Sequence, residues 1–200
     1  MDGRKALLPG TLLRLSTRTG YTEYSVRHEI GRGGSCIVYD ASSADNLRND
    51  KLVRIKECYP HALRISRDDD GTLHAEERDS AAFEAAKNRL INAYQKNHVL
   101  FATEDLSNAV ANTSNLHEEN GTIYIVSTWL NGQIFAGAEI KTLHDCIALL
   151  LSTARVLKNI HDAGYLYLDL KPENILTIKG SLDLVQLFDF DSMIAMADLE

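Results

Sequence analysis

The sequence predicts an α+β chain: an antiparallel β lobe comes first, followed by the start of a mainly helical lobe. Three observations predict it. Residues 21–56 hold β-type runs interrupted by a glycine-rich turn. Residues 79–98 and 143–161 place apolar side chains at steps of three and four, the spacing of a helix face. Between the second helix and a later strand, the run Tyr167-Leu168-Asp169-Leu170-Lys171-Pro172-Glu173-Asn174 gathers carboxylate, ammonium and amide groups, and Leu187-Phe188-Asp189-Phe190-Asp191 follows.

Composition bounds what such a chain can be. Two hundred residues, 44% hydrophobic and 24% charged, suit a globular protein with one hydrophobic core. The net charge of −7, without a basic cluster, argues against nucleic acid as a partner and against attraction to an anionic membrane. Cys36, Cys58 and Cys146 are an odd number without metal spacing, as expected of reduced thiols in a cytoplasmic protein. Leu7-Leu8 is cut short by Pro9-Gly10, so no signal peptide is read there, and the apolar run 146–157 is too short to span a bilayer.

In chain order, Leu12-Leu13-Arg14-Leu15 reads as a first strand after the Pro9-Gly10 turn. Tyr24, Val26 and Ile30 alternate as a half-buried strand does, and Ile37-Val38-Tyr39 resumes a strand beyond Gly31-Arg32-Gly33-Gly34-Ser35-Cys36. Val53-Arg54-Ile55-Lys56 follows, with Arg54 and Lys56 on one face by strand parity, and Pro60 must end it. The stretch from Ser66 to Glu77 has acids at calcium-loop positions three, five and twelve, but its first position lacks a carboxylate; an acidic β-turn at Asp70-Gly71 is the expectation. The 79–98 helix stripes Ala82, Phe83, Ala86, Leu90 and Tyr94. Residues 99–120 read as loop and one strand, and 121–132 as a buried strand running into a turn. The 143–161 helix stripes Leu143, Ile147, Leu150, Ala154, Leu157 and His161, with Ala148, Leu149 and Val156 suggesting a second buried side; Gly164 ends it.

The chemistry-bearing residues point to phosphoryl transfer. That reaction asks for a carboxylate to orient a hydroxyl, a cation to offset moving charge, and oxygen ligands for a metal beside the phosphates. Asp169, Lys171, Asn174 and Asp189 supply these in order. A hairpin tip nearly free of side chains lets backbone N–H groups close over phosphate oxygens.

Taken together, these segments resemble the protein-kinase superfamily, most closely a bacterial serine/threonine-kinase-like family. The run 167–174 is similar to the catalytic loop, 189–191 to the metal-binding triplet, 31–38 to the glycine-rich loop and 53–56 to the strand of the phosphate-anchoring lysine. The resemblance implies a protein-kinase-like fold, with 1–20 an N-terminal extension, 21–131 the small lobe and hinge, and 132–200 the start of the large lobe. It implies ATP and Mg²⁺ as cofactors and a protein substrate phosphorylated on serine or threonine. Asp169 and Lys171 would be catalytic, and Asn174 and Asp189 would hold metal. Gly31, Gly33, Gly34, Val38 and Lys56 would contact the nucleotide, with Ser127 the gatekeeper and the backbones of Thr128 and Leu130 on the base. Glu84 is the helix acid nearest the position that pairs with the strand lysine in active members.

Several positions depart from the family pattern. Cys36 stands at the third glycine, Arg54 where a small residue covers the base, Tyr167 and Leu168 where histidine and arginine are usual, and Asp191 at the triplet's glycine. Two other readings stay open: an inactive nucleotide-binding pseudokinase and a small-molecule phosphotransferase of the aminoglycoside-kinase type. The chain stops nine residues after Asp191, so a truncated domain is expected, itself inactive and prone to dimerise through an exposed large-lobe helix.

Overall fold

The computed structural model describes residues 2–43, 51–103, 106, 110, 113–128, 132–135, 140–178 and 181–199, without the side chains of 113, 114 and 133. They form two compact units, one of Met1–Asn92 with Thr113–Trp129 and one of Ala93–Asn112 with Leu130–Glu200.

The first unit is built on a six-stranded antiparallel sheet. Strands β1 (Leu12–Thr17), β2 (Gly20–Arg32), β3 (Cys36–Ser43) and β4 (Lys51–Cys58) follow one another across it. After the small hairpin of β5 (Ile65–Arg67) and β6 (Leu73–Ala75) and helix α1 (Glu77–Phe101), strands β7 (Thr113–Glu119) and β8 (Thr122–Thr128) complete the order β1-β2-β3-β4-β8-β7. The Asp70-Gly71 turn expected from sequence joins β5 to β6, with Gly71 at φ +94°. One face of the sheet carries Ile37, Tyr39 and Ala41 of β3 and Ile55 and Glu57 of β4, all fully buried. The opposite face carries Val38 and Asp40 beside Arg54 and Lys56.

Glu57 is a charge in that buried layer, and it survives because it is paired. Its Oε2 accepts from Arg67 at 2.6 Å and from the Tyr39 hydroxyl at 2.8 Å. Burial, and then the neighbouring Glu57 charge, push the Tyr39 hydroxyl pKa well up, so it stays a donor.

α1 starts two residues before the predicted 79–98 span and ends three after it. Phe83, Ala86 and Leu90 are buried as the stripe predicts, whereas Ala82 is exposed.

The second unit holds β9 (Gly132–Ile134), α2 (Leu143–Asp162), β10 (Tyr165–Leu166), β11 (Ile175–Ile178), β12 (Ser181–Leu187) and β13 (Ile194–Ala195). Its main sheet runs β12-β11-β9, and β10 pairs with β13. α2 begins in a capping box: the Thr142 side chain accepts from the Asp145 N–H at 3.1 Å, and the Asp145 carboxylate takes the Thr142 N–H at 2.9 Å. It ends at Gly164, whose φ of +86° suits glycine and whose N–H bonds the His161 carbonyl at 2.8 Å.

The buried side of α2 corrects the sequence expectation. Leu149, Ser152, Thr153, Val156 and Ile160 are the buried residues. The predicted stripe is largely exposed: Leu143, Ile147, Leu150, Ala154 and His161 face solvent and Leu157 is half-buried. The helix is apolar over more than one side, so spacing alone selects the longest stripe and not the one that meets a partner. Ser152 disguised the true face, because its hydroxyl is satisfied on the β12 backbone, donating to the Asp183 carbonyl at 2.9 Å. Val156 and Ile160 join Tyr167, Ile175, Leu187 and Phe190 in the core beneath the loop that follows.

Candidate functional site

In the first unit, strand register assembles predicted residues that lie far apart in sequence. Gly31 of β2 opposes Val38 of β3, Val38 opposes Lys56 of β4, and Lys56 opposes Ile125 of β8. Directly opposed residues share a face, so Gly31, Val38 and Lys56 form one transverse row about 10 Å wide at the usual strand spacing. The glycine-rich turn 33–35 caps this row, closed by the Gly33 N–H on the Cys36 carbonyl at 2.9 Å. Arg54 lies next along the Lys56 face, its guanidinium desolvated and its charge offset by Asp40. Thr128 ends β8 opposite Val53 and is exposed. Leu130 lies outside the described residues.

The glycines of this turn are not demanded by the fold. Gly31, Gly33 and Gly34 have no positive φ. A Cβ would meet nothing within 4 Å at Gly31, the Cys36 carbonyl at 4.0 Å at Gly33, and His61 Nδ1 at 3.9 Å at Gly34. Gly121 differs: it sits at φ +70°, and a Cβ there would lie 2.3 Å from the Leu73 carbonyl oxygen. Space above Gly31, Gly33 and Gly34 is therefore left open by the described residues.

Glu84 does not serve as the expected acid. It is exposed on α1 and its carboxylate is taken by Lys87 one turn on, at 2.6 Å. The pair is local, at i, i+3, with Lys87 buried and Glu84 exposed, and Glu84 sits too early in α1 to be drawn inward.

The second unit brings Asp169, Lys171 and Asn174 together. Pro172–Asn174 form a single 3-10 turn that folds the loop back on itself. The Lys171 ammonium donates to Asp169 Oδ2 at 2.6 Å. The Asn174 amide donates to the Asp169 main-chain carbonyl and to Oδ2, both at 2.9 Å. Held from two sides, the Asp169 carboxylate has a fixed plane. That hydrogen bond, with the charges of Asp169 and Asp189, raises the Lys171 pKa, so the ammonium stays charged.

Asp189 is tied to the same loop through its backbone neighbours. The Phe188 N–H bonds the Asn174 carbonyl at 3.3 Å, and the Tyr167 hydroxyl donates to the Phe188 carbonyl at 2.6 Å. Tyr167 also packs edge-on against Phe190, ring centres 5.4 Å apart. Between these anchors Asp189 takes φ +64°, a conformation few non-glycine residues adopt. It lies two residues beyond the end of β12. Asp191 is exposed in the turn closed by the Met193 N–H on the Phe190 carbonyl at 3.0 Å.

The donor set fits a hard divalent cation. With its amide hydrogens committed to Asp169, Asn174 has its side-chain oxygen to offer a ligand, and Asp189 adds a carboxylate. Among the described residues no three His, Cys, Asp or Glu side chains group as a metal cage. A Mg²⁺ ion shared with phosphate oxygens needs no such cage. Sequence reading missed one support in each unit: the Tyr167–Phe188 bond in the second, and in the first the buried Glu57–Arg67 pair on the sheet face opposite Lys56.

No protein-family model matches the chain, and no curated protein matches it in sequence. Solved structures do match in fold. The apo form of PpkA-294 is 24% identical, with a TM-score of 0.73 over 94% of this chain. The BubR1 kinase domain is 17% identical, with a TM-score of 0.65 over 98% of this chain. A third kinase domain is 12% identical, with a TM-score of 0.68 over 97% of it. This chain spans 62%, 54% and 56% of those three chains. The chain has the α+β fold of protein-kinase domains, with a β-rich first lobe, as its motifs imply.

Proposed function

We propose that this chain carries the nucleotide-binding and catalytic-loop portion of an ATP-dependent phosphotransferase acting on serine or threonine hydroxyls of proteins. The observation that carries the reading is the triad in which Lys171 and Asn174 both hold Asp169 Oδ2. A carboxylate so fixed can accept the hydrogen bond of an incoming hydroxyl and orient its oxygen. Lys171 keeps its positive charge beside it, where charge on a transferring phosphoryl group would be offset. Asn174 and Asp189 are the residues that would hold Mg²⁺, which when bound neutralises phosphate charge. Lys56 and the glycine-rich turn would contact the nucleotide, with the backbone of Thr128 on its base.

A second reading, a nucleotide-binding module without transfer, is favoured by one observation: Glu84 pairs with Lys87. Incubation of a form that carries this portion within a kinase-length domain, with MgATP and a protein substrate mixture, followed by phosphoamino-acid analysis, separates the two. Phosphoserine or phosphothreonine that disappears in Asp169→Asn supports transfer. Saturable MgATP binding without either product supports the second reading.

A further inference from the structure

Residues 2–8 have no regular secondary structure, yet they are pinned along their length to the back of the first unit's sheet. The Leu7 N–H donates to the Tyr39 hydroxyl at 3.1 Å, and the Lys5 carbonyl accepts from Arg67 Nε at 2.8 Å. The Arg4 carbonyl accepts from Arg32 Nη1 at 2.9 Å. Tyr39 and Arg67 also hold Glu57, whose side chain lies on the face opposite Lys56. The strap therefore runs behind the sheet, clear of the Lys56 row.

From there the Arg4 side chain, 94% buried, reaches the glycine-rich turn. Nη2 donates to the Gly33 carbonyl at 2.9 Å, and Nη1 donates to the Cys36 carbonyl at 3.4 Å and to the Tyr59 carbonyl. Asp2 takes the remaining side of the guanidinium, Nε to Oδ1 at 3.0 Å. Hydrogen bonds from Arg4 hold the Asp2 carboxyl well below the usual carboxylate range, so the pair stays ionised.

The other carbonyls of the turn are also taken by the protein. Gly34 O accepts from the His61 N–H at 3.0 Å, and Ser35 O from the Tyr59 N–H at 2.9 Å. In a planar trans peptide the carbonyl of one residue and the N–H of the next point in opposite directions. Fixing the Gly33 carbonyl on Arg4, behind the sheet, therefore turns the Gly34 N–H outward, as an anion cradle requires.

We propose that Arg4 is a positioning residue for the nucleotide triphosphate: by gripping the Gly33 and Cys36 carbonyls from behind, it holds the turn with its N–H groups facing the phosphates. The proposal rests on the reading that this turn receives a nucleotide. It makes residues 2–8 part of the nucleotide-binding machinery.

The test is calorimetric titration of the whole chain with MgATP and, separately, with adenosine, which lacks phosphates. Arg4→Ala should weaken MgATP binding about tenfold or more while adenosine affinity stays within about twofold. Arg4→Lys keeps the charge facing Asp2 but cannot span three carbonyls with one ammonium, so it should shift MgATP affinity in the same direction. Hydrogen exchange of the Gly33 amide, bonded to Cys36 O, is read on nucleotide-free protein and should be about tenfold faster in Arg4→Ala. Equal losses for MgATP and adenosine, or no loss for either, would overturn the proposal. If the wild-type chain binds no MgATP, the nucleotide reading fails by itself. Gly33 exchange then decides the bracing alone: faster exchange upholds it, and unchanged exchange overturns it.

Discussion

Replacing Gly31 with valine separates what the glycine-rich turn does for the fold from what it does for a ligand. Gly31 lies in β2, its backbone is not in the left-handed region, and an added Cβ meets nothing within 4 Å. A glycine inside a strand is less stable than alanine by roughly 0.5–1 kcal/mol, and β-branched residues favour strands further. Gly31→Val should thus hold or raise stability by about that amount, a melting shift of roughly +1 to +4 °C for a chain of this size. The new side chain, however, projects on the face of Val38 and Lys56, because directly opposed residues share a face. MgATP affinity should fall by about tenfold to a hundredfold, the loss of one charge-assisted hydrogen bond or its geometry. Differential scanning calorimetry and ATP titration on the same preparation read both quantities. Gly121→Ala is the contrasting control, since a Cβ there would sit 2.3 Å from the Leu73 carbonyl and should destabilise the protein. Full MgATP affinity in Gly31→Val would refute the reasoning, and so would a fall of several degrees in its melting temperature.

Three further outcomes are expected. Asp169→Asn should cut phosphoryl transfer by about 10²–10⁴ with nucleotide affinity nearly unchanged, measured by steady-state kinetics beside calorimetry; normal turnover would remove Asp169 from the mechanism. On α2, Ile160→Ala should cost about 2–5 kcal/mol in chemical denaturation, whereas Leu150→Gln should stay within about 0.5 kcal/mol, because Ile160 is fully buried and Leu150 is 61% exposed. The Tyr39 pKa is raised in the folded state, so the stability it contributes is complete below the unfolded value of about 10 and declines as pH rises above it. Tyr39→Phe should accordingly show a shallower alkaline loss of stability than the wild type, and identical slopes would mean that another group governs that limb.

Legibility from sequence followed the range of the interactions. Asp169, Lys171 and Asn174 fall within six residues, so their meeting is a local event that a turn around Pro172 enforces. Gly31, Val38 and Lys56 were grouped by the family resemblance, and the strand register sets them in one row. Interactions across long separations left no such trace. Arg4 looked like part of a featureless extension, and only the folded sheet shows it against Gly33, 29 residues away. Glu57 reads as a solvated charge until Arg67 and Tyr39 are seen around it. α2 misled for a different reason. Its sequence is apolar on several sides, and which side is buried depends on β12, which periodicity within the helix does not report. Glu84 failed as an expected partner because a local pair with Lys87 was available one turn away.

The central claim is that Asn174, bonded to Asp169, and Asp189, whose neighbour Phe188 is bonded to the Asn174 carbonyl, form the metal-and-phosphate end of a nucleotide site. Isothermal titration of the wild type and Asp189→Ala with ATP, with and without Mg²⁺, tests it most directly. The account predicts that Mg²⁺ strengthens ATP binding to the wild type by tenfold or more, and that this Mg²⁺ dependence is lost in Asp189→Ala. Equal Mg²⁺-dependent binding by both proteins would contradict it.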